Sequence, residues 1–175
     1  LLIRPNFDNE RGFFERVDVV LQNDMSMRSQ NIHYSLNTHL FDAQKAIKEI
    51  VNDDGSGKFF NEGRRALAFL NDAKTQPWVL KDPRLCITLR MWLPFLDAQP
   101  AVVLTYRHPM DVAHSLLKRD KVQLPRGLKL WMSYNRAMVV NSRDLCKVVT
   151  SNRKVLSQPM QELQRIVDGM RACGV

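Results

Sequence analysis

Apolar residues along this chain fall into two patterns, stripes at helical spacing and short unbroken runs. The stripes predict helices near residues 10–22, 41–53, 58–74, 84–98, 109–121, 126–143 and 159–172, and the runs predict strands near 78–81, 101–106 and 146–150. Because each run is short, apolar and separated from the next by a helical pattern, residues 78–80, 101–105 and 147–149 are expected as parallel strands of one sheet. Asp53-Asp54-Gly55-Ser56-Gly57 breaks two helices with turn-forming residues, and the polar stretch 23–38, which sustains no period, is expected as an irregular lid or acceptor-side loop. Strands alternating with helices make an α/β protein, and such sheets bind ligands at the carboxyl ends of their strands.

One junction carries the most chemistry. The run Ala101-Val102-Val103-Leu104 ends in Tyr106-Arg107, and Pro109 and Asp111 then suit the first turn of a helix whose apolar stripe is Val112, Ala113, Leu116 and Leu117. Ser115, four residues after Asp111 and away from that stripe, is expected to face back toward Arg107. A guanidinium fork matches a phosphate bidentately and a hydroxyl adds a further donor, so the two residues form a candidate phosphate grip. An ordinary strand-turn-helix whose arginine caps a sheet edge is the competing reading.

The pattern R-x-P-x-D-x-x-x-S from Arg107 to Ser115 resembles the 3′-phosphate-binding segment of the PAPS-dependent sulfotransferases. One helix upstream, Lys81-Asp82-Pro83-Arg84 resembles an element of the bacterial and carbohydrate-type members, whose strand-end lysine lies near the sulfuryl group. Asn9-Glu10-Arg11-Gly12-Phe13-Phe14-Glu15 is similar to the family's N-x-x-G-[FY]-x-E stretch, and Gly127-Leu128-x-Leu130-Trp131-x-x-Tyr134-Asn135 adds a fourth segment in the family's order. The resemblance spans nearly the whole chain, most specifically residues 78–136. It implies one sulfotransferase-like domain over residues 1–175, with a P-loop-NTPase-like parallel sheet flanked by helices.

Departures from the family accompany these matches. The Gly- and Ser-rich loop that would meet the 5′-phosphosulfate at a helix N-terminus is not found, and the chain opens at Leu1-Leu2-Ile3, so a fragment lacking its first strand is expected. Where the family often places a tyrosine and an acid on a later strand, residues 146–152 read CKVVTSN, leaving Ser151 and Asn152 as the candidate cofactor contacts. The late R-K-G loop is absent, and Arg153-Lys154 lies outside its context.

The implied reaction transfers a sulfuryl group from PAPS to a hydroxyl or amine, releasing PAP and requiring no metal. Charge builds on oxygens during in-line displacement, so a preplaced cation is needed, and Lys81 is the candidate. Arg84 serves the sulfuryl group, an anionic acceptor, or a salt bridge to a helix acid. The acceptor must lose a proton. Pro83 occupies the position where cytosolic members carry a histidine, which leaves Glu15 and Asp82 as candidate bases, with Glu15 preferred because an Asp before Pro also suits a helix cap.

Composition narrows this picture only slightly. A net charge of +8 and a pI near 9.7 suggest a polyanionic partner, but no block of five basic residues marks a nucleic-acid tail, and none is expected as a ligand. The sulfate acceptor is expected to be a carbohydrate or small metabolite. A non-catalytic basic binding module, either a degenerate scaffold of the same fold or a nucleic-acid binder, is the alternative. Cys86, Cys146 and Cys173 are odd in number and widely spaced, which suggests neither a disulfide framework nor a zinc site. His33, His39, His108 and His114 form no metal-ligand pattern, and no apolar run approaches the roughly 20 residues that span a bilayer. The lack of an N-x-[ST] sequon points to the cytoplasm.

Overall fold

A computed structural model of the chain describes residues 2–3, 14–53 and 60–175, and it divides into two compact units, Leu1–Ala98 and Gln99–Val175. The protein is mixed α/β, mainly helical, with a two-stranded parallel sheet. Residues 9–13 of the N-x-x-G-[FY]-x-E stretch, the start of the expected first helix and residues 54–57 of the expected turn lie outside the described residues.

The first unit contains α1 (Val17–Arg28), α2 (Ala43–Val51), α3 (Asn61–Leu70) and α4 (Leu85–Trp92). Asp42 starts α2 by accepting hydrogen bonds from the backbone N–H groups of Gln44 and Lys45 at 2.9 and 3.1 Å, which satisfies two donors that a helix start leaves open. Ala46 and Ile50, one turn apart on α2, and Ala66 and Leu70, similarly placed on α3, are buried. Val19, Ala46, Ile50, Phe60, Ala66, Met91 and Trp92 form the core of this unit. Pro94 lacks the N–H that would continue α4, and residues Leu93–Phe95 tighten into a 3-10 turn.

Two sequence expectations are corrected in this unit. Residues 23–28, expected in an irregular lid, are the last two turns of α1, because Asn23, Ser26 and Met27 are buried and their polar groups are satisfied inside the fold. The stretch 78–81 is not a strand of the sheet. Its apolar side chains are used differently: Trp78 Nε1 donates to the Leu70 carbonyl at 2.9 Å, Leu80 packs on the helical core, and Val79 is 96% exposed.

The second unit runs β1 (Val102–Tyr106), α5 (Pro109–Asp120), α6 (Leu124–Asn141), β2 (Lys147–Ser151), α7 (Asn152–Ser157) and α8 (Pro159–Ala172). The two expected strands here are present and parallel, with Val102 opposite Lys147 and Tyr106 opposite Ser151. A parallel pair requires a crossover, which α5 and α6 supply. These helices approach closely at Gly127, where a Cβ would stand 3.0 Å from the Ala113 backbone. On β2, Thr150 donates to Glu162 of α8 at 2.6 Å and Arg165 donates to the Val149 carbonyl at 2.7 Å. The short α7 was not apparent from periodicity.

Cys146 and Cys173 are joined by a disulfide, which the odd number and wide spacing of the cysteines did not suggest. The sheet places the start of β2 against the end of α8, so residues 27 apart in sequence have Cα atoms 5.7 Å apart. Charge is also divided unevenly. Residues 99–175 hold 13 Lys and Arg against 5 Asp and Glu, whereas residues 1–98 hold 13 of each, so the second unit carries the whole excess of +8. Among the described residues, no helix is long and apolar enough to cross a membrane.

Candidate functional site

In the first unit, the chain enters α4 through Lys81-Asp82-Pro83-Arg84 and meets Glu15 just before α1. The Glu15 backbone is held by residue 3, whose N–H donates to its carbonyl at 2.8 Å. Lys81 Nζ donates to Glu15 Oε1 at 2.6 Å, and Arg84 Nη1 stands 3.9 Å from Glu15 Oε2. The two partners differ in environment: the Lys81 side chain is 55% exposed and that of Glu15 only 8%. A buried carboxylate paired to a half-exposed ammonium leaves the cation facing solvent, where an anionic group can reach it. Phe14, next to Glu15, is exposed and held at φ 57°, a conformation rare for a bulky residue.

Arg84 is fixed more firmly than Lys81. Its Nε donates to Asp24 of α1 at 2.7 Å, its Nη1 donates to Asp82 at 3.0 Å, and its guanidinium lies 5.8 Å from the Tyr34 ring centroid. Burial works against its charge, but Asp82 and Asp24 outweigh that effect and hold its pKa above the ordinary arginine value. Asp82 has a fully buried side chain. Its Oδ1 accepts from the Arg84 N–H at 2.9 Å and its Oδ2 accepts from Asn23 Nδ2 at 2.8 Å. Asn23 Oδ1 in turn accepts from Thr88 Oγ1 at 2.9 Å and Trp92 Nε1 at 2.8 Å. This network ties the Asp82 turn to α1 and α4. Beside it, burial first and Asp82 second push the Cys86 thiol up to about 11.

In the second unit, an open cleft of about 570 Å³ is lined by Arg107, His108, Asp111, Asn152, Arg153, Leu156 and Ser157. It lies past the carboxyl ends of β1 and β2, where the register puts Tyr106 beside Ser151. The Arg107 backbone is anchored by Trp131, whose Nε1 donates to its carbonyl at 2.8 Å, while its Nε stands 3.7 Å from Asp111. Ser151 is buried and caps α7, accepting from the Lys154 N–H at 3.3 Å.

The structure therefore gathers Glu15, Lys81, Asp82 and Arg84 in one unit, and Arg107 and Asn152 in the other. Ser115 is exposed two turns along α5 and does not line the cleft; Ser151 borders it only through its cap. Sequence reasoning passed over Asn23 and Asp24, named Trp131 only within a matched segment, and set Arg153 aside as lying outside the R-K-G context. Asn23 and Asp24 were hidden by the misplaced end of α1, and Arg153 by the unrecognised start of α7. No protein family matches the chain, and neither the curated proteins nor the solved structures compared with it give a match.

Proposed function

We propose that this chain is a PAPS-dependent sulfotransferase domain, with the P-loop-NTPase-like fold that this activity implies. The observation that carries the proposal is the Lys81–Glu15 pair: a solvent-facing cation is bonded to a buried carboxylate, at the positions where the sequence resemblance calls for charge stabilisation and a base. Support comes from the Arg107 cleft at the ends of two parallel strands, whose size suits a nucleotide.

In this reading the acceptor oxygen or nitrogen forms a bond to the sulfuryl sulfur as the bond between that sulfur and the phosphate oxygen of PAPS breaks. The bonding pair stays on PAP, and the acceptor proton passes to Glu15. Lys81 shifts from Glu15 toward the sulfuryl oxygens, where it offsets the charge that grows in the transition state. That movement also frees the carboxylate to act as base. Asp82 is committed to Asn23 and to the start of α4, so its part is to position Arg84. Arg84, bound between Asp24 and Asp82, orders the site and carries a fixed charge beside Glu15.

The test is calorimetry of PAP with the full chain, followed by release of PAP from labelled PAPS in the presence of sugars and small hydroxyl or amine metabolites. Arg107→Ala is expected to weaken PAP by about 1.5–3 kcal/mol, the range for hydrogen bonds to charged groups. Failure of the wild type to bind PAP would overturn the proposal. The concentration of the +8 charge in residues 99–175 favours a second reading, a non-catalytic module for polyanions, and binding of oligonucleotides with steep salt dependence would select it. The Cys146–Cys173 disulfide favours an oxidising compartment over the cytoplasm suggested by the missing sequon.

A further inference from the structure

We infer that Arg153 is a second anion-gripping arm of the Arg107 cleft, so that this cleft takes a doubly charged phosphate monoester. The identification of that group as the 3′-phosphate of PAP rests on the function proposed above. The grip itself is argued from the second unit alone.

Strand register supplies the first reason. Tyr106 and Ser151 are partners across adjacent parallel strands, Arg107 follows the one directly, and Arg153 follows the other by two residues. Neighbouring strands lie about 4.8 Å apart. Both guanidiniums thus leave the same end of the sheet on stems long enough to converge, and both line the same cleft.

Charge supplies the second. Among the described residues, Asp111 is the only acid lining the cleft, half-exposed and 3.7 Å from Arg107, and Arg153 makes no ion pair. Two arginines against one carboxylate leave a surplus cation. Elsewhere in this unit Arg119 and Arg165 are each satisfied by a carboxylate at 2.7 and 2.6 Å. Arg153 instead extends from the first turn of α7, whose start is set by the Ser151 cap, into a cleft with the Asn152 amide and the Ser157 hydroxyl. Two guanidinium forks and neutral donors fit a phosphate that presents three oxygens and nearly two charges. A singly charged ester would leave one fork unused.

The volume supplies the third. About 570 Å³ is far more than one inorganic anion fills, and within the range of nucleotide-sized sites. The open cleft thus leaves room beside the phosphate for the rest of a larger ligand.

The experiment measures binding of PAP, adenosine 3′,5′-cyclic phosphate (a singly charged diester) and inorganic pyrophosphate to the full chain and to Arg153→Ala and Arg153→Lys. Both variants alter an exposed side chain outside the core. Wild type is expected to prefer PAP over the cyclic diester, and Arg153→Ala to weaken PAP by ~10- to 100-fold, the equivalent of one lost charge-assisted contact, while leaving the diester unchanged. Arg153→Lys, which keeps the charge and loses the fork, should fall between them. If wild type binds PAP and Arg153→Ala binds it equally well, the second arm is refuted and the sulfotransferase reading stands. If wild type ignores PAP but holds pyrophosphate in an Arg153-dependent way, the arm stands and that reading falls. Binding of none of the three probes overturns both.

Discussion

Lys81 Nζ and Glu15 Oε1, 66 residues apart in sequence, meet at 2.6 Å, with the lysine half in solvent and the carboxylate buried. An ion pair with one exposed member contributes about 0–1 kcal/mol to stability. Its importance is expected to lie in chemistry. Lys81→Ala should leave folding and PAP affinity almost unchanged and lower kcat by ~10²- to 10³-fold, the usual effect of removing one preorganised electrostatic donor. Glu15→Gln should lower turnover even at saturating acceptor. Labelled-PAPS turnover checks both, and a Lys81→Ala protein with wild-type kcat would assign the lysine a structural role.

Much of the second unit was legible from sequence, since 101–106 and 146–150 are short runs rich in β-branched residues whose partners lie in the same stretch of chain. The segment 78–81 reads the same way and is not a strand. Local composition records that Trp78 and Leu80 seek burial, but not whether a sheet or a helical core receives them. Glu15, Lys81 and Arg84 were identifiable as charged residues at motif positions. Their mutual distances were not, because they depend on contacts about 60 residues apart, such as those of Asn23 and Asp24, on the part of α1 beyond its expected end, with Asp82 and Arg84. The Cys146–Cys173 pairing has a similar origin, since it depends on how α8 lies on β2.

Asn23 should be the most sensitive polar residue of the first unit. Asn23→Ala removes the shared partner of Asp82, Thr88 and Trp92 in a buried setting, where each orphaned group costs about 1–3 kcal/mol. We expect a loss of about 2–4 kcal/mol, measured by urea unfolding followed through tryptophan fluorescence. The Asp82 turn should loosen as well, so turnover per folded molecule should also fall. A change below about 0.5 kcal/mol would show that the network is not holding the turn.

The disulfide should matter to the second unit only. A bond between residues 27 apart removes chain entropy from the unfolded state worth about 3–4 kcal/mol in the loop-closure account. Cys146→Ser should lower unfolding stability by about that amount, and a reducing agent should do the same to wild type while adding nothing in the variant. Equal stability of oxidised and reduced wild type would contradict this expectation.

Glu162 makes the stability of the second unit sensitive to acid. Hydrogen bonds from Arg165 first and Thr150 second hold its carboxyl at about 2 in the folded chain, against an ordinary value of 4.5, and they outweigh the opposing effect of burial. The same Arg165 contact raises the arginine's own pKa. A carboxyl whose folded value is depressed is bound by fewer protons in the native than in the unfolded chain, so its contribution is complete above its unfolded value and disappears as pH falls through its folded one. Glu162→Gln keeps the shape and removes the charge. The stability gap between wild type and this variant should therefore be constant at neutral pH, narrow below about 4.5 and level off near 2. Urea titrations across that range measure the gap directly, and a gap independent of pH would show that the charge on Glu162 is not what joins α8 to β2.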